Sequence, residues 1–184
     1  MSGLLLPKEA RLGLLSLARE AMASELDGRP LAESSSWPGD LARKAAAFVT
    51  LREPDHALRG CVGYTEARYA LWRTVADAAV GAAFHDSRFP AVTRPELARL
   101  LVQVSVLSTL FPIRPQDVVV GVHGVVVEQR GRRGLLLPQV APEHGWTREE
   151  LLDQTCRKAG LPPASWREPD ALVLAFTAEC FGDG

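Results

Sequence analysis

Apolar residues along this chain fall into two rhythms, one helical and one alternating, separated by polar stretches rich in Gly, Pro and Ser. Leu12, Leu15, Met22 and Leu26, with Ala18 between them, predict an amphipathic helix over 7–26. Pro7 suits its first turn, and Asp27-Gly28 followed by Pro30 stops it. Residues 27–40 read as a connecting loop. Ala45 to Leu51 reads as a strand, Arg52 to His56 as a turn, and Leu58 to Tyr64 as the second arm of a hairpin. A second helix is expected over 66–84. Its stripe of Leu71, Val75, Ala78, Ala79 and Ala82 suits close packing against a sheet. His85 to Pro90 ends that helix in a polar loop.

Further on, Val102, Val104 and Val106 alternate with Gln103, Ser105 and Leu107. That predicts a strand over 100–107 with one apolar face. Phe111 to Pro115 reads as irregular. Val118 to Val127 and Gly134 to Leu137 are apolar runs joined by a hairpin loop from Gln129 to Arg133. Thr147 and Glu150 form a capping box, opening a helix that ends at Ala159-Gly160 with Pro162 just beyond. Ala171 to Phe181 is expected to be one last strand. Helices and strands mix without a strict βαβ rhythm. The predicted class is α+β, with a mostly antiparallel sheet flanked by helices.

Composition narrows the function classes. A chain of 184 residues suits one domain with its own core. A net charge of −1 gives no bulk attraction to nucleic acid or membrane. No apolar run approaches the roughly 20 residues of a membrane span. The opening residues lack the basic leader of a signal peptide, so the expected location is cytoplasmic. Cys61, Cys156 and Cys180 lie far apart, with no Cys-x-x-Cys and no Cys/His cluster. Neither a Walker-type phosphate loop nor a dinucleotide fingerprint is present. No metal and no cofactor is expected.

The chemistry-bearing stretch is Leu58-Arg59-Gly60-Cys61-Val62-Gly63-Tyr64. In a regular strand Arg59 and Cys61 share one face, while Leu58 and Val62 share the other and pack on a core. Gly60 and Gly63 carry no side chain, so a ligand or another backbone can approach. Cys61 is then either a reactive thiol favoured by Arg59 or a small inert core residue. Arg59 is either an anion binder or a structurally paired arginine. Cys156 and Cys180 read as core residues. Asp86 and Arg88 read as a structural ion pair across their loop.

Phe48-Val49-Thr50-Leu51 followed by Leu58-Arg59-Gly60-Cys61-Val62-Gly63 resembles the AMMECR domain family, whose prokaryotic members are called AmmeMemoRadiSam system protein A. The likeness continues through Asp86-Ser87-Arg88-Phe89, Val104-Ser105-Val106-Leu107-Ser108, His123-Gly124-Val125, Gly134 to Ala141, Trp146 and Thr155 to Leu161. It implies a single domain over 1–184, built of a larger and a smaller lobe with the Cys61 motif lining a cleft between them. It implies no established reaction. It also implies Memo-like and radical-SAM protein partners, in a system for which RNA or nucleotide modification has been suggested. Gln103 departs from the acidic residue usual in the family before the Val-Ser-Val-Leu strand.

Because His123-Gly124 lies beside the family's Pro138-Gln139 strand, His123 is the preferred base for a Cys61 thiol. The competing reading is a turn histidine satisfied by backbone bonds. Ser105 and Gln139 either bind a polar ligand or make ordinary strand hydrogen bonds. Two functions follow. One is an enzyme, or an enzyme subunit, using Cys61 and Arg59 on a small anionic or nucleotide-like ligand. The other is a non-catalytic scaffold for the Memo-like and radical-SAM partners.

Overall fold

The structure is a computed structural model that describes residues 6–31 and 37–183. The opening residues 1–5, and residues 32–36 of the expected connecting loop, lie outside it. Helices accompany two four-stranded sheets, so the class is α+β. The chain divides into two compact units. One comprises Ser108–Ala178; the other holds the remaining described residues. Each has its own apolar cluster.

The first unit starts with α1 (Lys8–Leu26), with Pro7 at its N-cap and Gly28 left-handed just beyond its end. The buried face is Leu14, Leu17, Ala18, Ala21 and Met22; of the expected stripe, Ala18 and Met22 are buried, Leu15 and Leu26 pack partly buried at its margin, and Leu12 is exposed. Leu12 and Leu14 both fit a helical period, and packing against α3 (Leu71–Val80) selects between them. A short α2 (Gly39–Ala42) precedes the hairpin of β1 (Ala47–Arg52) and β2 (Leu58–Tyr64). The second helix begins at Leu71, later than expected, and ends in a π-helical turn, Gly81–His85. Its expected stripe is buried throughout. A short α4 (Arg94–Leu97), opened by a Thr93/Glu96 capping box, escaped the sequence pattern. β3 (Leu101–Leu107) follows.

In the second unit, β4 (Phe111–Pro112) is a short strand in the segment expected to be irregular. β5 (Gly124–Gln129) begins later than expected, because the chain turns at Val119–His123. β6 (Arg132–Leu136) follows a turn in which Arg130 and Gly131 both have positive φ. The expected loop is thus a two-residue type I′ hairpin. α5 (Val140–His144) and α6 (Arg148–Lys158) come next. The Thr147/Glu150 box caps α6 as expected, with Thr147 Oγ1 accepting from the Glu150 N–H at 3.3 Å.

The last expected strand is two strands. β7 (Leu172–Phe176) joins the second sheet, in order β4-β7-β5-β6, and β8 (Ala178–Gly182) joins the first, in order β2-β1-β3-β8. An alternating run looks the same in sequence whichever sheet it enters.

Candidate functional site at the β2 edge

The geometry of β2 starts from a bulge. Leu51 pairs with Gly60, and Arg52 with Leu58, so Arg59 is an extra residue with no partner on β1. The bulge breaks the alternation that placed Arg59 beside Cys61. Leu58 is exposed and Arg59 is buried at 7% exposure, which reverses the expectation at this end of the strand. Arg59 Nε and Nη2 donate to Glu96 Oε1 at 3.2 and 3.1 Å, and Glu53 Oε1 lies 3.8 Å from Nε. Thr93 hydroxyl and backbone donors, and then Arg59, hold the Glu96 carboxyl down at about 2 although burial opposes them. Arg59 is therefore a structurally paired arginine.

The glycines also serve packing. A Cβ on Gly60 would lie 2.1 Å from the Ala82 carbonyl oxygen, so the π-helical turn fills that space. A Cβ on Gly63 would meet the Phe48 ring at 2.3 Å. Of the two expected approaches, ligand or backbone, Gly60 takes the backbone one, and a neighbouring side chain fills the room at Gly63. Small residues at 81–83 let the turn come this close, and Val62 packs beneath it against the core.

Beyond the bulge, regular pairing resumes. Cys61 lies opposite Thr50, and the Thr50 hydroxyl donates to Cys61 Sγ at 3.3 Å. Side chains approach in this way in the non-hydrogen-bonded pairs of an antiparallel ladder. The Cys61 N–H and C=O then point outward from the edge. Asp86, placed directly after the π-helical turn, accepts the N–H on Oδ2 at 2.9 Å. Arg88 Nη2 donates to the Cys61 carbonyl at 3.4 Å. Asp86 grips Arg88 in a fork, with Nε to Oδ1 at 2.9 Å and Nη2 to Oδ2 at 2.7 Å.

The Arg88 hydrogen bond, aided by the Cys61 N–H and opposed by burial, keeps the Asp86 carboxyl far below its usual range. The Asp86 bond and charge likewise raise Arg88 above its ordinary value, against the opposing effect of burial. The Asp86 side chain is 6% exposed and that of Arg88 56%. The expected ion pair is present, and it also holds the Cys61 backbone. Thr50 and this second duty of Asp86 were missed. The signal available was Asp86 and Arg88, two apart, immediately after an apolar helix.

The other candidates lie elsewhere. Ser105 is buried on β3, its Oγ 3.2 Å from Cys180 Sγ. Cys180 is exposed rather than core, whereas Cys156 is buried, and burial raises its thiol pKa. His123 belongs to the second unit, where its Nδ1 accepts the Val119 N–H at 3.1 Å and its ring meets Phe111 edge-on. That is the turn-histidine arrangement. Gln139 is in the second unit too, at the N-cap of α5 rather than in a strand. Its Oε1 is buried without a hydrogen-bond partner among the described residues. Among the described residues no group of three metal-ligating side chains converges, and no described helix is long and apolar enough to cross a membrane.

A sequence model described as AMMECR1 matches residues 15–181. A protein of Thermococcus gammatolerans is 45% identical over 179 residues, spanning 91% of this chain and 87% of its own length. One from Pyrococcus furiosus is 43% identical, spanning 91% and 85%. The crystal structure of an uncharacterized protein from Pyrococcus horikoshii superposes with a TM-score of 0.90 at 40% identity, covering 97% of this chain and 93% of that one. With the family matched from residue 15 to 181, this chain belongs to the AMMECR1 family.

Proposed function

We propose that this AMMECR1-family protein binds a small anionic ligand at the β2 edge. Arg88 supplies the cation, and the half-buried Cys61 thiol faces the ligand as the candidate nucleophile. The observation that carries the reading is the double hold of Asp86, whose one carboxylate fixes the Cys61 N–H and the Arg88 guanidinium together. Of the five Arg88 N–H groups, Asp86 and the Cys61 carbonyl engage three, which leaves donors for an anion. Arg59, spent on Glu96, does not take this part.

Iodoacetamide labelling tests the site in a Cys180→Ser background, where the exposed competing thiol is gone and Cys156 stays buried. Inorganic phosphate is expected to slow Cys61 labelling saturably, and Arg88→Met to abolish the protection. Labelling indifferent to phosphate would overturn the proposal.

A second reading makes β2 a docking edge for the Memo-like and radical-SAM partners. Exposed Leu58 and Tyr64 at its two ends support it. Asp86 and Arg88 cap the middle of that edge, which favours the ligand reading. Docking would predict that partner capture survives Cys61→Ser and is lost on Leu58→Asp.

A further inference from the structure

Cys61 does not stand alone on its face of the sheet. Thr50 pairs with Cys61 on one side and with Gln103 on the other. Directly opposed residues in antiparallel strands project to the same face. The flanking Val102 and Val104 are fully buried on the core side, so Gln103 points the other way, with Cys61. A straight row therefore crosses three strands: Cys61, Thr50, Gln103. Next in the row is Gly182, where a Cβ would come within 3.3 Å of the Gln103 Cβ and 2.7 Å of the Val102 carbonyl oxygen. Having no side chain there leaves the far side of Gln103 uncrowded. Gln103 is half-buried, and among the described residues its amide has no hydrogen-bond partner.

The row has a cation beyond one end and a neutral amide at the other. Cys61 and Gln103 are two strand spacings apart, roughly 10 Å. Thr50, short and buried at 5% exposure, lies low between them. Inorganic phosphate is too small to touch Arg88 and Gln103 together. A carboxamide presents a donor and an acceptor in one plane, which matches the donor–acceptor edge of a nucleobase. A carboxylate at that position would only accept, and its charge would oppose an anionic ligand.

We infer that Gln103 is a specificity-determining residue of the β2-edge site, and that the ligand joins its anionic group to a planar donor–acceptor edge about two strand widths away, as a nucleoside monophosphate does. The inference rests on the anion site proposed above and names its ligand class. Arg88 holds the phosphate over the Cys61 end, and the Gln103 amide pairs with the base edge.

Calorimetric titration separates the two claims, with inorganic phosphate and adenosine monophosphate as probes on wild type, Gln103→Ala and Gln103→Glu. Wild type is expected to bind the nucleotide roughly tenfold or more tightly than phosphate, the scale of one good bidentate base contact. Gln103→Ala should erase that advantage and leave phosphate affinity unchanged. Gln103→Glu, of the same shape, should bind the nucleotide more weakly still and serves if the alanine variant fails to fold. Phosphate binding with no nucleotide advantage, or an advantage that survives both substitutions, overturns the role of Gln103 and leaves the anion site standing. Failure of wild type to bind either probe overturns both.

Discussion

The two edge strands of the first sheet both rely on carboxylates, and they use them for different ends. On the β8 side, Glu179 accepts the Leu6 N–H at 2.9 Å and pairs with Arg11 at 2.8 Å. Asp183 accepts the Val102 N–H at 2.8 Å and pairs with Arg19, which also reaches the Leu100 carbonyl at 2.9 Å. These bonds tie strand ends to the arginines of α1. On the β2 side, Asp86 binds the Cys61 backbone and holds Arg88 with more than half of its side chain in water. Each edge also carries a thiol–hydroxyl pair, Cys180 with Ser105 and Cys61 with Thr50. A thiol beside a hydroxyl therefore does not mark a site. What sets β2 apart is a cation fixed at the Cys61 backbone with donors to spare.

The packing contrast predicts the largest effect. Gly60→Ala drives a Cβ into the Ala82 carbonyl, backbone against backbone. It should cost about 3 kcal/mol, the top of the usual overpacking range, and lower the thermal midpoint by roughly 6–12 °C. Gly182→Ala meets Val102 at a wider 2.7 Å and should cost about 1 kcal/mol. Equal losses in paired thermal melts would break the distinction between a tightly overlaid edge and a tied one.

A smaller effect lies in acid. The folded-state pKa values of Glu96 and Asp86 are both depressed. Their stabilisation is therefore fully present above the ordinary carboxylate range and is lost as pH falls. For Glu96 the loss runs from about 4.5 down to about 2, and for Asp86 it extends lower. Glu96→Gln should flatten the stability profile across the Glu96 window. Parallel urea-midpoint profiles for variant and wild type would show that the Glu96 carboxylate, held by Thr93 and then Arg59, does not contribute to stability in this window.

Local pattern carried much of the fold. The bounds of β2, the α3 stripe and the α6 cap were legible because alternation, helical spacing and capping act over a few residues. The edge of the α1 stripe was not, since Leu12 and Leu14 both fit a helical period and only the packing partner decides. The split of 171–181 between two sheets depends on neighbours remote in sequence. At the site, Cys61 was legible as a marked residue, but the face taken by Arg59 was reversed. A one-residue bulge re-aimed it, and its partner Glu96 lies 37 positions away. Gly60 and Gly63 were legible as places of close approach, but which neighbours come there, the Ala82 backbone and the Phe48 ring, was not. The polar loop after α3 was visible; that its carboxylate caps an edge strand follows only from the π-helical turn that delivers it.

The two arginines offer the most direct test, the phosphate affinity of Arg88→Met set beside that of Arg59→Met. Arg88→Met should cost about 2 kcal/mol, because the buried Asp86 carboxylate loses its main partner while keeping the Cys61 N–H, and should lose phosphate binding. Arg59→Met should lose about 3 kcal/mol, because Glu96 is left without its buried partner, yet bind phosphate where it remains folded. Phosphate bound undiminished by Arg88→Met, or lost only with Arg59, would contradict the assignment of the β2 edge as an anion site built on Arg88.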